Sequence, residues 1–392
     1  MKPRAAFLMT HPTQYHSPWF RAMAARPEIS IHVYYGFQPS AELQGKDFGL
    51  DFEWDVPLLE GYPNSFLENV AAKPGWGFRN TDTPELGDLI PRRDYDVWVI
   101  NGWTTKSEWL AIRTCWRSHV PMMIRGDSNL MDSRPLGTRI AKRVILGRWI
   151  PRFTRYLTVG TLNEQYYEFY GADRSRFVPV RHFVDNEWFA SHVAKARDNR
   201  AQIRRRWDIE PDGLVFLFAG KLMHKKRPVD AVEALAKVNE KYGKAYLLIA
   251  GEGELKEACA SAAASLGANV RFAGFLNQTE MPEAYAASDV LVLPSGYQET
   301  WGLVVNEAMA SGLPAIVSDK VGCAPDLIVS GDTGAIFPAG DTDAFAARMT
   351  EYAANPMKAV RHGSRARQHI SDYSLEAATE NTVRAIIDAS GR

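Results

Sequence analysis

Short apolar runs that lack polar alternation recur along this chain, and they restrict its fold more than any other feature. In the second half they read LVFLFAG (214–220), AYLLIAG (245–251), VRFAG (270–274), DVLVLPS (289–295) and PAIVSD (314–319). A strand with one face in water alternates; a run that is apolar throughout suits a strand buried on both faces. Between these runs lie stretches of helical period, PVDAVEALAKVNEKYG (228–243) and ELKEACASAAASLG (254–267). Strand and helix in alternation predict an α/β fold with a parallel sheet covered by helices.

The first half alternates less regularly, with candidate strands AAFLM (5–9), ISIHVYY (29–35), DVWVI (96–100), PMMIRG (121–126) and YLTVG (156–160). The interval 36–94 is rich in Pro, Gly and aromatics and has no clear period. Loops of that length are uncommon unless functional, so it is expected to hold short elements and part of a binding surface. A chain of 392 residues exceeds the roughly 250–300 residues at which single cores stop growing, which predicts two domains. PVRHFVDNEWF (179–189) reads as the exit from the first sheet, and KARDNRAQIRRRWDI (195–209) as a charged helix opening the second half. The expected division is 1–190 and 191–370, with a C-terminal helix over 371–392 packing back toward the first domain.

Lys plus Arg and Asp plus Glu number 46 each, a formal net charge of +0. No global basic field favours nucleic acid, and charged partners must be met by local patches. Cys115, Cys259 and Cys323 are far apart and make no metal-ligand spacing, which fits a reducing compartment. The opening MKPRAAFLMTHP carries too short an apolar run for a signal peptide. No run approaches the ~18 apolar residues of a membrane span. A cytoplasmic protein is expected.

Two segments carry chemistry. QETWGLVVNEAMASGLP (298–314) places Glu299 and Glu307 eight positions apart around Gly302. A helix beginning near Trp301 or Gly302 directs its first amides to the carboxyl end of the sheet, where helix N-termini bind phosphate. Glu307 is then placed to accept from a ribose diol, and Glu299, in the loop before, to reach a sugar ring. FAGKLMHKKRP (218–228) sets Lys221 directly after Gly220 at a strand end, with Lys226 five residues on. Two ammonium groups there would stabilise a departing diphosphate by fixed charge, without a metal. The bland alternatives are solvated glutamates and a solvated basic turn, the latter fitting Lys225 and Arg227.

These segments resemble the retaining family 4 glycosyltransferases of the GT-B fold. The likeness rests on Gly220-Lys221-Leu222 with Lys226, Gly274-Phe275-Leu276, SDVLVLPS (288–295), and the pair Glu299 and Glu307; it covers about residues 210–340. It implies a GT-B architecture, in which two Rossmann-like parallel-sheet domains face each other across a cleft. The first domain would bind the acceptor and the second the nucleotide-sugar donor. Lys221 and Lys226 would hold the donor diphosphate at Gly220, Glu299 the transferred sugar, and Glu307 the ribose hydroxyls. Backbone around Leu276 would meet the base, and the amides of Gly302, Leu303 and Val304 the sugar and phosphates. Transfer to a saccharide or lipid-linked acceptor would retain the anomeric configuration, with no metal and no cofactor. An epimerase or phosphorylase of the same plan, and an inactive nucleotide-sugar-binding subunit, are the alternatives.

The first half matches that family less well. Its first strand-end turn, THPTQYHSPWF (10–20), places His11, Thr13, Gln14, Tyr15 and His16 on the expected acceptor side, unless the histidines simply cap the following helix. Where the family has a His, this chain reads IRGDSN (124–129). Asp127 becomes the acid nearest the reaction, or else a turn or N-cap aspartate, and Arg125 a contact for an anionic acceptor or donor phosphate. The stretch 133–163 holds seven Lys or Arg and no acid, interleaved with Ile140, Val144, Ile145, Trp149, Ile150 and Phe153. It suits the anionic inner face of a membrane or a lipid-linked acceptor, or else a core helix with a solvated basic face. Asp94-Tyr95-Asp96 merely precedes a strand, and Gly251-Glu252-Gly253 lacks the third glycine of a dinucleotide fingerprint.

Overall fold

The computed structural model describes residues 2–131 and 135–391; Ser133 and Arg134, which open the basic stretch, lie outside them. The chain forms two compact units. One comprises Met1–Leu43, Val56–His182 and Leu375–Arg392, the other Gln44–Asp55 and Phe183–Ser374. The mid-chain change of unit falls at 182/183, the segment 44–55 belongs with the second unit, and the final helix Leu375–Ser390 belongs with the first.

Among the described residues the first unit holds seven parallel strands: β1 (Arg4–Met9), β2 (Ser30–Tyr35), β3 (Asn64–Phe66), β4 (Val97–Asn101), β5 (Met122–Arg125), β6 (Arg155–Thr158) and β7 (Phe177–Pro179). Their order is β3-β2-β1-β4-β5-β6-β7. The second unit holds six: β8 (Leu214–Ala219), β9 (Ala245–Ala250), β10 (Val270–Gly274), β11 (Val290–Leu293), β12 (Ala315–Ser318) and β13 (Gly334–Phe337), in the order β10-β9-β8-β11-β12-β13. Both are Rossmann-like. Strands β8, β9, β11 and β12 are buried at every position, as their lack of alternation requires. On one side Phe216, Phe218, Leu247, Ile249 and Val292 pack with Val232 and Leu235 of the helix Pro228–Asn239 and with Phe345 and Met349 of Thr342–Ala354. In each sheet the strand order reverses once, at β1/β4 and at β8/β11. Connections leave to opposite faces on either side of such a point, which opens a crevice at the carboxyl ends.

Three strands differ from the runs read in the sequence. β3, β7 and β13 are edge strands of three or four residues, with Asn, Pro or Gly at an end, and so carry too little apolar pattern to register. The charged segment expected as one helix divides into Asn186–Arg197 and Arg200–Arg206, breaking at Asp198-Asn199, residue types of low helix propensity. The interval 36–94 contains the short helices Ala41–Gly45 and Leu86–Leu89 as well as β3. Over its described residues the stretch 133–163 forms a helix, Leu136–Trp149, then a 3-10 turn, Ile150–Arg152, then β6, and ends in the start of the helix Thr161–Phe169. Leu146, Ile150 and Phe153 are buried, whereas Leu136, Ile140, Val144 and Ile145 are exposed. Part of that stretch thus packs into the core. Among the described residues no helix is long and apolar enough to cross a membrane.

The helix Lys106–Arg117 opens with a capping box. The Thr105 amide donates to Glu108 Oε2 at 2.8 Å, and the Glu108 amide to Thr105 Oγ1 at 3.3 Å. Glu108 is 1% exposed. Burial, opposed by the hydrogen bonds from Thr105 and Thr104, pushes its carboxyl up to about 7 from 4.5. The native state therefore binds this proton more tightly than the unfolded chain, so stability is lost as pH rises through that interval. Glu108→Gln keeps the shape and an acceptor. It is expected to be neutral near pH 4.5 and to stabilise by about 1–3 kcal/mol near pH 8, as read from urea denaturation at both values.

Candidate functional site

Lys221 and Lys226 follow β8, and Glu299 follows β11, the two strands that flank the reversal point of the second sheet. Backbones meet closely there: the Gly220 amide donates to Ala250 O at 2.9 Å, Leu222 to Glu252 O at 2.8 Å, and Gly251 to Gly274 O at 2.7 Å. A Cβ on Gly251 would stand 2.0 Å from Gly220 O, so this glycine serves strand-end packing.

Lys226, in the 3-10 turn His224–Lys226, donates to Glu299 Oε2, and Ser295 Oγ donates to the same oxygen at 2.9 Å. The two charged side chains are 15% and 12% exposed. The Glu299 loop is held by its neighbour: the Gly322 amide donates to Glu299 O at 2.9 Å, and Cys323 to Trp301 O at 3.0 Å. A Cβ on Gly322 would lie 1.9 Å from Thr300 O, so only glycine permits that approach. Gly302 is the N-cap of the helix Leu303–Ala310, whose first residues, Leu303 and Val304, are half-buried. Glu307 is 5% exposed and accepts from the Tyr285 hydroxyl at 2.6 Å. Neither glutamate is a solvated surface acid.

Lys221 has a different partner. Its Nζ donates to Asp47 Oδ2 at 2.7 Å and lies 5.2 Å from the centre of the Phe48 ring. That hydrogen bond holds the Asp47 carboxyl below its ordinary range. The structure joins Lys226 to Glu299 directly and gives Lys221 and Glu307 partners of their own. Segment 44–55 also sets Phe52 against Phe275, with ring centres 4.4 Å apart, and Glu53 O accepts from Asn277 Nδ2 at 2.7 Å. It lies against the turn after β10 that contains the half-buried Leu276.

In the first unit the turn after β1 leads into the helix His16–Ala24. Its N-cap is Tyr15, without a side-chain cap, and Thr13 Oγ1 accepts from the His16 amide at 3.3 Å and meets His16 Nδ1 at 2.9 Å. Gln14 and Tyr15 are half-buried beside it. His11 stacks on Phe37, with ring centres 5.6 Å apart, and Nδ1 accepts from Trp76 Nε1 at 3.3 Å; burial pushes this imidazole down to about 4. Arg125 ends β5 and is 2% exposed. Its guanidinium meets His16 Nε2 at 3.4 Å and His182 Nδ1 at 3.5 Å, and lies 5.4 Å from the centre of the Trp19 ring. Burial pushes it down to about 10, opposed by the charge of Asp127. Both imidazoles are held well below their ordinary value, by burial first and Arg125 second. Asp127 is exposed and caps no helix, since the next begins at Leu136. Asp96, in the DxD, accepts from the Arg4 amide at 2.8 Å and so ties the start of β1 to β4.

His182, Asp47, Ser295 and Tyr285 were not singled out from sequence. His182 follows β7, whose three residues gave no strand signal, and Asp47 lies in the irregular interval. Ser295 was within a matched phrase, and Tyr285 reads as an ordinary core aromatic.

The family model of the glycosyl transferases group 1 matches residues 199–369. That match lies within the second unit and covers less than half of the chain. Among curated proteins, the chain is similar to a D-inositol 3-phosphate glycosyltransferase of Streptomyces bingchenggensis, 31% identical over 56% of this chain and 49% of that protein. It is also similar to a glycogen synthase of Mycobacterium tuberculosis, 26% identical over 58% of this chain and 52% of that one. The chain spans about half the length of these relatives. Among solved structures, Anabaena Alr3699/HepE in complex with UDP and glucose aligns with a TM-score of 0.72 at 14% identity, over 98% of this chain and 100% of that one. WaaG, a glycosyltransferase involved in lipopolysaccharide biosynthesis, gives 0.67 at 17% identity, over 97% and 99%. The shared feature is the GT-B fold.

In the second unit, removing one partner of the Lys226–Glu299 pair leaves a charge with little water. Lys226→Met is expected to destabilise by about 3 kcal/mol, and adding Glu299→Gln to restore at least half of that. A urea-denaturation cycle measures both; strictly additive effects would show the pair to be uncoupled.

Proposed function

We propose that this protein is a retaining glycosyltransferase, moving a sugar from a nucleotide-sugar donor bound by the second unit to a saccharide or lipid-linked acceptor in glycan biosynthesis. The observation that carries this reading is the Lys226–Glu299 pair at the reversal point of the second sheet, next to a glycine-capped helix. An incoming diphosphate competes for Lys226 and Lys221, and Glu299 then turns its carboxylate to the sugar hydroxyls. Glu307, oriented by Tyr285, takes the ribose diol, and the backbone at Leu276 meets the base. The amides of Gly302, Leu303 and Val304 add positive dipole at the helix start. The HepE structure with UDP and glucose supports a uridine diphosphate sugar as the first donor to test.

The acceptor oxygen attacks the anomeric carbon from the face the diphosphate leaves. The bond from that carbon to the phosphate oxygen breaks, its electron pair goes to the diphosphate, and the departing oxygen takes the acceptor's proton. Fixed lysine charge stabilises the negative charge as it develops, without a metal. In the first unit His11, Gln14, Tyr15, His16 and Arg125 serve the acceptor, and Asp127 orients its hydroxyl. Leu136, Ile140 and Val144, exposed at four-residue spacing beside Arg139, Arg143 and Arg148, suit a helix resting on the anionic cytoplasmic face of a membrane.

Glu299→Gln, Lys221→Ala and Lys226→Ala are each expected to lower turnover about 100-fold or more in protein that still melts cooperatively; unchanged turnover in all three would remove the assignment. Product analysis without acceptor separates epimerisation from transfer. Ile140→Glu with Val144→Glu is expected to abolish sedimentation with phosphatidylglycerol vesicles while leaving nucleotide binding unchanged.

A further inference from the structure

The second sheet has a second polar edge, opposite the turns of Lys226 and Glu299. Ser288 and Asp289 stand directly before β11, and Gly312 and Leu313 shortly before β12, so both pairs mark the amino ends of parallel strands. These turns and residues of the helices Asn186–Arg197, Arg200–Arg206 and Pro356–His369 line a cavity of about 400 Å³. Small-molecule sites measure about 300–1,000 Å³. Arg197, Arg200 and Arg367 face it, with Ser288 and Ser364. We propose that these arginines form a binding site for a phosphate group, either free phosphate or the monoester of a small molecule, separate from the donor site.

The charges of the lining do not cancel. Among the described residues it holds one acid, Asp289, whose carboxylate is already shared. Oδ1 accepts from Arg200 at 2.5 Å, and Oδ2 accepts from Arg204 at 2.9 Å and from the Val215 amide at 2.8 Å. Arg197 donates to Ser311 O at 2.8 Å, which fixes its guanidinium and leaves its other N–H groups to meet a ligand. Arg367 makes no hydrogen bond or ion pair with the described residues. Its charge acts on Arg197, whose guanidinium is held below its ordinary value by burial first, then by Arg200 and Arg367. Like charges gathered at one cavity raise the local potential and draw an anion, and guanidinium planes match phosphate oxygens two bonds at a time. The arrangement is fixed by close packing: a Cβ on Gly363 would stand 2.1 Å from Gly312 O, and Arg367 follows one helical turn later. Leu313, Ala359 and Val360 add an apolar wall suited to the carbon part of an ester, with Val360 62% exposed. Ser364 and Arg367 are exposed, so the cavity is open to solvent.

The test is a pair of calorimetric titrations of the full chain, with inorganic phosphate and with phenyl phosphate. They are run at about pH 8, where both are largely dianionic, in saturating uridine diphosphate so that the donor site is filled. Both anions are expected to bind without displacing the nucleotide, phenyl phosphate the more tightly; equal affinity would support free phosphate as the ligand. Arg367→Glu is expected to weaken both about tenfold or more, and Arg197→Gln about threefold or more, with uridine diphosphate affinity unchanged. Lys237→Glu makes the same change of charge on the helix Pro228–Asn239 and is expected to leave binding within about twofold. The proposal is overturned if neither anion binds, if either displaces the nucleotide, if both arginine variants bind as the wild type does, or if Lys237→Glu costs as much as Arg367→Glu. If Arg197→Gln does not fold, Arg367→Glu decides alone, since Arg367 makes no bond that the fold would lose. Failure of uridine diphosphate to bind would strike the donor assignment only, because the arginine variants still report on this cavity.

Discussion

Because every strand in both sheets pairs in parallel, the chain must cross a face of the sheet before each new strand, and all strand-to-helix turns gather at one edge. That edge is where backbone amides, helix starts and polar side chains can be offered to a ligand without disturbing the core. Lys221, Lys226, Glu299 and Gly302 all sit on such turns in the second unit; in the first, His11 and Asp127 do, while Arg125 ends a strand and His16 opens a helix. Their clustering follows from strand topology, and it needs no special local structure beyond a few glycines.

Those glycines matter because the turns are stacked on one another. Gly322 lets one loop lie against the carbonyl of Thr300, and Gly251 lets another lie against that of Gly220. The result is a platform in which the turn of Glu299 and the turn of Lys221 each lie against a neighbouring backbone. The charges on the platform are held in partner pairs, Lys226 with Glu299 and Lys221 with Asp47. Preorganised charge of this kind loses little when it exchanges one anionic partner for another.

How much of this was legible depended on the length of each signal. The fully apolar central strands, the helix start at Gly302 and the strand-end lysines announced themselves, because burial on both faces and turn chemistry leave unambiguous residue patterns. The edge strands did not: a segment such as Asn64–Phe66 takes its form from its neighbour, not from its own residues. The partners of the site residues were hidden for a related reason. Asp47 and His182 meet Lys221 and Arg125 across 174 and 57 positions of sequence, and nothing local marks either as a partner. Within the basic stretch the strand at YLTVG is legible as an apolar run, whereas the end of the preceding helix is not, although Pro151 stands just after it.

The membership of the two units has a consequence for how the protein comes into being. The first unit includes the helix Leu375–Ser390, whose Val383 and Ile386 are buried and whose Asn381 donates to Pro179 O at 2.9 Å. A ribosome therefore releases the residues needed to finish the first unit only after the whole of the second has been made. Until then an apolar strip of the nascent first unit stays uncovered, and the earliest-synthesised half of the molecule is the last to be completed.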